Sequence, residues 1–268
     1  MTGSGKRKMP EDPSSQSHKK RKGGNSWQKH TPRSTIETGD WGVFVTCERG
    51  RENKCAAEVI DLFTENVDRP ENGGDEAESG SEDDIEAQIR KEIEGLKPST
   101  TKKLSLFEAV KFDLPCIIFV RFDKSIDPEK MVHQICLDAH ASPEQKRSRY
   151  IQRLTPARSI RKTLSVDLPE FAKEMLKADF HSGGPPKKYA IRPSVRGNKK
   201  FDRDIIIKTV ADIVGPEHPV DLKNYDLIIL VDVVQNVMSM SVAGCDYDKL
   251  KRYNLAELFN PEPAQQET

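Results

Sequence analysis

Hydrophobic positions along the chain change their period several times, and each change marks an element. Gly42-Val43-Phe44-Val45-Thr46-Cys47 is a short β-branched and aromatic run that predicts a strand. From Glu52 to Glu65 the apolar positions Cys55, Ala56, Val59, Ile60 and Phe63 recur at helical spacing, with charges on the opposite face. Between Glu65 and Asp84 acids crowd around Gly73-Gly74, the pattern of a mobile acidic loop. A helical stripe resumes through Ile85, Ile89, Ile93 and Leu96. Cys116 to Val120 then reads as a buried strand, and Pro128 opens a helix carrying Met131, Val132, Ile135, Cys136 and Ala139. Residues 40–141 therefore predict a small α+β domain with its helices on one face of a sheet.

A second domain is predicted to begin near Pro143. It opens with a strand over Tyr150–Leu154 and a helix around Pro169 to Lys177. Gly183-Gly184-Pro185-Pro186 breaks the chain before a strand at Tyr189-Ala190-Ile191. Ile205, Ile206, Thr209, Val210 and Ile213 mark a helix capped by Asp202. The clearest local signal is a hairpin. Leu227 to Val231 is a continuous apolar strand, Gln235-Asn236 is the turn, and Met238, Met240 and Val242 alternate with Ser239 and Ser241. That alternation predicts a central first strand and a half-exposed second one.

Composition divides the chain further. Of 268 residues, 32% are charged and 35% hydrophobic, and the mean hydropathy is -0.69, so long stretches are expected to stay unpacked. Residues 1–39 carry nine Lys/Arg against three acids and read as a disordered basic arm. Within it Lys6-Arg7-Lys8 and Lys19-Lys20-Arg21-Lys22 have the spacing that a nuclear-import receptor reads, predicting the nucleus, with the nucleolus and some cytoplasmic protein as extensions of that expectation. No apolar run is long enough for a membrane span and no apolar leader follows Met1, so a soluble intracellular protein is expected. The five cysteines, Cys47, Cys55, Cys116, Cys136 and Cys245, form no CxxC pair, which predicts reduced thiols and no zinc ribbon.

Charge is where the chemistry concentrates. From Glu144 to Lys208 there are seventeen Lys/Arg against seven acids, an excess of +10. Such a block repels itself, and a polyanion relieves that repulsion while releasing counterions. The candidate RNA ligands are Lys146, Arg147, Arg149, Arg153, Lys187, Lys188, Arg192, Arg196, Lys199, Lys200 and Arg203. Aromatics are too sparse here for a base-stacking sheet, so phosphate and shape contacts are expected. Catalytic parts are not found. The chain has no GxGxxG or GxxxxGK[ST] loop, and its histidines form neither HExxH nor a deaminase pattern. No cofactor, no small-molecule substrate and no metal are therefore expected; His133 and His140 share a helix face but read as structural. Ser79 and Ser81, in Ser-Gly-Ser-Glu-Asp-Asp, are candidates for an acid-directed kinase, with Ser81 and Asp84 alternatively forming a capping box.

Several stretches in fixed order carry a family resemblance. They are Gly42-Val43-Phe44-Val45-Thr46-Cys47-Glu48-Arg49-Gly50-Arg51-Glu52 with Cys55 and Glu58, then Ser81 to Glu86, then Arg153-Leu154-Thr155-Pro156. Tyr189-Ala190-Ile191-Arg192, Val220-Asp221-Leu222 before Leu227 to Val233, and Lys251-Arg252-Tyr253-Asn254-Leu255 complete the order. Residues 40 to 258 thereby resemble the THUMP-domain adaptors that assist tRNA cytidine acetylation. The resemblance implies a ferredoxin-like domain over 40–141, an α/β THUMP domain over 145–255 and a disordered tail over 256–268. It further implies a non-catalytic protein that presents serine and leucine tRNAs to an RNA cytidine acetyltransferase for N4-acetylcytidine formation in the D-arm. One departure stands out: Tyr225 occupies a position after Val-Asp-Leu where such families often carry Pro. Two other readings compete, a tRNA-modifying enzyme in its own right and a charge-based protein-interaction module.

Overall fold

The computed structural model describes residues 35–68 and 106–260. The two basic runs of the arm, most of the acidic loop, Ser79, Ser81, the stripe from Ile85 to Leu96 and residues 261–268 lie outside those residues.

Chain order in the first half is β1 (Gly42–Cys47), α1 (Glu52–Asp68), β2 (Phe107–Lys111), β3 (Ile117–Phe122), α2 (Pro128–Ala141) and β4 (Ile151–Ala157). The four strands hydrogen-bond in the order β2-β3-β1-β4, every neighbour antiparallel. Strand alternation sends Val43 and Val45 of β1, Ile118 and Val120 of β3 and Leu154 of β4 to one face, where Cys55, Val59 and Phe63 of α1 and Val132, Ile135 and Cys136 of α2 cover them. Asp127 caps α2 by accepting from the Glu129 and Lys130 amides, and Pro128 occupies the first turn, where its missing N–H is harmless. Gly42 is required for close approach: a Cβ there would lie 2.0 Å from the Val120 carbonyl oxygen.

The second half runs β5 (Ser159–Lys162), α3 (Leu168–Phe180), β6 (Tyr189–Arg196), α4 (Arg203–Val214), β7 (Leu227–Val234) and β8 (Val237–Gly244). These strands form a mixed sheet in the order β5-β8-β7-β6, with β6 parallel to β7 and the other pairs antiparallel. One face, with Tyr189, Ile229, Val231, Val233, Met238 and Met240, is covered by Phe171 and Leu176 of α3 and Ile206 and Val210 of α4. The opposite face meets the uncovered face of the first sheet. Phe44, Ile117, Phe119 and Ala157 pack there against Ile160, Val234 and Val237, giving a helix-sheet-sheet-helix layering. Each such aliphatic or aromatic side chain removed from water contributes roughly 1.5–3 kcal/mol.

After β8 a tight 3-10 turn (Lys251–Tyr253) leads into α5 (Leu255–Leu258). Lys251, Arg252 and Tyr253 all take left-handed backbone angles, with φ of 51°, 57° and 58°, which is strained for non-glycine residues. The strain is held by the burial of Tyr253 and by amide bonds from Arg252 to the Tyr247 carbonyl and from Tyr253 to that of Leu250. Asn254 then caps α5, accepting from the Glu257 amide.

The structure corrects the sequence reading at five points. The strand after Pro143 does not open the second domain; it is β4, paired residue by residue with β1 from Gly42↔Ala157 onward, so the sheets part at Arg158. The second hairpin strand is not half-exposed, because the first sheet lies against it: Ser239 and Ser241 are 1% and 2% exposed, and Ser241 Oγ donates to the Pro156 carbonyl at 2.8 Å. Residues assigned to the end of the arm are packed, since Ile36 joins the cluster between the sheets and its carbonyl accepts from Lys162. The start of the tail is also folded, with Leu258 and Phe259 buried. Helix α1 continues to Asp68, past the expected start of the acidic loop.

Candidate nucleic-acid interface

Alternation along the edge strand β6 aims Arg192, Ser194 and Arg196 at the first sheet, while Tyr189, Ile191 and Val195 pack toward α3 and α4. Across the gap, β1 and β4 place Thr46 opposite Arg153 and Phe44 opposite Thr155. The result is a cleft of about 120 Å³ into which Arg153, Arg192, Arg196, Thr46, Thr155 and Ser194 all face, with Asp232 of β7 and Tyr247 completing its wall.

The electrostatics of this cleft are unusual. The Nε of Arg153 is buried with no hydrogen-bond partner, while its backbone N–H donates to Thr46 Oγ1 at 3.1 Å. Desolvation pushes the Asp232 carboxyl up to about 6, against the hydrogen bond from Ser194 and the charges of Arg196 and Arg153. Burial, with help from the Asp232 charge, pushes the Tyr247 hydroxyl up to about 12.

Asp248 gathers three donors beside the cleft. Tyr225 Oη donates at 2.7 Å, Arg252 Nε at 2.9 Å, and Arg192 Nη1 lies 3.4 Å away. Burial would raise the Asp248 carboxyl, but the hydrogen bonds from Tyr225 and Arg252 outweigh it and hold the group below its usual range. Tyr225, the residue that departs from the expected Pro, is thus an anchor rather than a turn former. The strained turn exists where it brings Arg252 onto the same carboxylate as Arg192.

The other candidate ligands are distributed around the body. Beyond Arg196 the chain turns through exposed Lys199 and Lys200 to exposed Arg203 at the start of α4. Lys200 is tethered, its Nζ donating to the Thr163 carbonyl at 2.6 Å. At the opposite end of β6, Lys187 donates to the Asp179 carbonyl at 2.7 Å and Lys188 pairs with Asp221 at 3.4 Å. Lys146, Arg147 and Arg149 form an exposed loop between α2 and β4. Arg149 and Lys54 both stand over the Tyr150 ring, 5.7 and 5.6 Å from its centroid.

So three of the predicted residues converge on one cleft, three continue from it along the chain, and five lie elsewhere. Sequence reasoning missed Thr46, Lys54, Asp232 and Arg252. Thr46, Asp232 and Arg252 fall within the family-like stretches, but nothing in those stretches marked them as ligands; Lys54 falls outside them, on α1, and is brought to Tyr150 by packing between distant elements. His133, considered as a metal ligand, has its Nε2 2.6 Å from Asp246 Oδ2. Among the described residues no cluster of three or more metal-ligating side chains occurs, and no helix is long and apolar enough to cross a membrane. Cys47, Cys55 and Cys136 are buried, and desolvation raises all three thiols. A larger hollow of about 250 Å³ between α1, α2 and α5 mixes apolar Leu62, Ile135 and Phe259 with polar Asn66 and Gln145 and the opposite charges of Asp138 and Arg147, so it gathers no cationic excess.

Residues 166–243, from just before α3 to the end of β8, match the THUMP domain, which makes this a THUMP-domain protein. Over 234 residues it is 35% identical to an uncharacterized protein of Schizosaccharomyces pombe, covering 85% of this chain and 78% of that one. With the tRNA acetyltransferase TAN1 of Saccharomyces cerevisiae it shares 33% identity over 250 residues, 84% of this chain and 86% of the relative. It shares 33% over 245 residues with THUMP domain-containing protein 1 of Bos taurus, 87% of this chain and 66% of that protein. The chain belongs to this family of THUMP-domain proteins. The aligned stretches are about three times as long as the domain match, so the likeness takes in the first sheet as well.

Proposed function

We propose that this protein is a tRNA-binding adaptor, which holds tRNA while an RNA cytidine acetyltransferase forms N4-acetylcytidine in the D-arm of serine and leucine tRNAs. The observation that carries this reading is the convergence of Arg153, Arg192 and Arg196 on one cleft, inside a chain whose yeast relative is named a tRNA acetyltransferase. Guanidinium groups are the side chains best matched to phosphate oxygens, and the exposed cations after Arg196 extend the field along a polyanion's path. The strand order β2-β3-β1-β4 with α1 and α2 on one face also supports a ferredoxin-like first half ahead of the THUMP domain.

That relative's name favours a second reading, in which the chain transfers the acetyl group itself. The charged cleft of about 120 Å³ is smaller than the roughly 300–1,000 Å³ of pockets that enclose whole small molecules, so an acyl donor would have to sit away from the arginines, in one of the wider open hollows of about 370 and 500 Å³. Nucleoside analysis separates the two. With acetyl-coenzyme A and tRNA, the purified chain alone should yield no N4-acetylcytidine, and adding it to an RNA cytidine acetyltransferase should raise the yield. Product from the chain alone would replace the adaptor by an enzyme. Nuclear residence and phosphorylation at Ser79 and Ser81 belong to the same proposal and rest on the sequence.

A further inference from the structure

We propose that the cleft between the two sheets is a built pocket for a single phosphate group of the bound RNA, a site that Arg153 from the first sheet completes. The proposal rests on the RNA-binding reading above and specifies where that RNA is gripped.

Three observations converge on it. The first is an unmet donor. Arg153 Nε is buried and unpartnered, and such a donor is costly unless an acceptor arrives. The second is size. A cavity of about 120 Å³ holds a group rather than a molecule of ordinary ligand size, for which roughly 300 Å³ is the lower end. The group therefore belongs to something larger that lies outside. The third is charge. Arg153, Arg192 and Arg196 line the cleft with Asp232, and Asp248 beside it is shared by Arg192 and Arg252, so four guanidinium groups stand against two carboxylates and leave cationic excess in a partly desolvated space. A tetrahedral oxyanion suits the guanidinium fork, and charge-assisted bonds to it are the strong ones. Thr46, already accepting from the Arg153 amide, has its hydroxyl proton left to donate, and Thr155 brings a second hydroxyl to the lining, whereas that of Ser194 is taken by Asp232.

Phosphate is favoured over an isolated carboxylate because the cations do not stop at the cleft. Lys199 and Arg203 follow Arg196 on the surface, as the neighbouring phosphates of a polyanion would require. The THUMP match over residues 166–243 contains Arg192 and Arg196 but not Arg153, Thr46 or Thr155. The grip on RNA thus belongs to the joint between the sheets and not to the THUMP domain alone.

The test uses the full chain in electrophoretic shifts with tRNA, once intact and once stripped of its 5′ phosphate. Arg153→Lys and Arg192→Lys keep the charge and remove the fork; each should weaken binding of intact tRNA about tenfold, the loss of one good charge-assisted bond. Asp232→Asn, which removes the opposing charge, should bind at least as tightly as the parent. Lys173→Ala, exposed on α3 across the second sheet from the cleft, should stay within about twofold. If the 5′ phosphate is the ligand, dephosphorylation reproduces the tenfold loss and Arg153→Lys adds nothing to it. If an internal phosphodiester is the ligand, both tRNAs bind alike and the variants lose on both. Either pattern supports the pocket. Parental affinity of both lysine variants for both tRNAs would overturn it while leaving tRNA binding intact, and absence of tRNA binding by the parent would overturn pocket and adaptor together.

Discussion

Arg158 and Glu129 lock the joint between the two sheets. Arg158 is the single residue between β4 and β5, and its Nη2 lies 2.6 Å from Glu129 Oε2 on α2. The other oxygen of the same carboxylate accepts the Val242 N–H of β8 at 2.8 Å, and Arg158 Nη1 reaches Asp179 of α3 at 2.7 Å. Burial raises the Glu129 carboxyl, opposed by Arg158, so the guanidinium is what makes a charged group tolerable there. Glu129→Ala leaves a half-buried guanidinium and a buried amide short of a partner. We predict a loss of roughly 2–4 kcal/mol in urea unfolding, with Glu129→Gln intermediate.

Much of this joint was not legible in the sequence. Helix α2 announces itself through Pro128 and α4 through its Asp202 cap, each with a regular apolar stripe, and the hairpin of β7 and β8 through its apolar run. Strand β5, Ser159-Ile160-Arg161-Lys162, has one apolar residue and no pattern; it is a strand because β8 pairs with it. Strand β4 could be read as a strand but not as a partner of β1, since pairing across a hundred residues leaves no local trace. For the same reason composition found Arg153, Arg192 and Arg196 as members of a cationic block, but not their meeting with Asp232. Ser239 and Ser241 misled because polar alternation signals solvent, whereas here a second sheet supplies the cover.

Asp232 makes stability depend on pH in a defined direction. Its folded-state pKa of about 6 stands above the ordinary 3.8, so its contribution favours folding below about pH 4 and is lost as pH rises through 6. We predict that Asp232→Asn melts higher than the parent at pH 7, by an amount corresponding to at most about 3 kcal/mol, and that the gap closes toward pH 4. Thermal melts of both proteins across that range check it. A constant difference would mean that Asp232 does not titrate there.

Gly42 is a fold determinant of the first sheet. A Cβ at this position meets the Val120 carbonyl oxygen at 2.0 Å, in the backbone of a paired strand that cannot give way. Gly42→Ala should cost about 3 kcal/mol or more, or abolish soluble expression. A parental melting temperature would show that β1 and β3 do not approach as closely.

Exposed and tethered cations should differ in their salt dependence. Lys199 and Arg203 are exposed, whereas Lys188 is paired with Asp221. Removing either of the first two should flatten the plot of log affinity against log salt by about one unit, and Lys188→Ala by clearly less. Equal slopes for all three variants would show that position on the surface is irrelevant and that only net charge matters.

The most direct test of the account as a whole is the affinity of the purified chain for tRNA measured between 50 and 200 mM salt. Binding through several phosphate contacts predicts tight association at the low end and a fall of about a hundredfold or more at the high end. An affinity that is absent at low salt, or unchanged by salt, would contradict the claim that this protein exists to hold RNA.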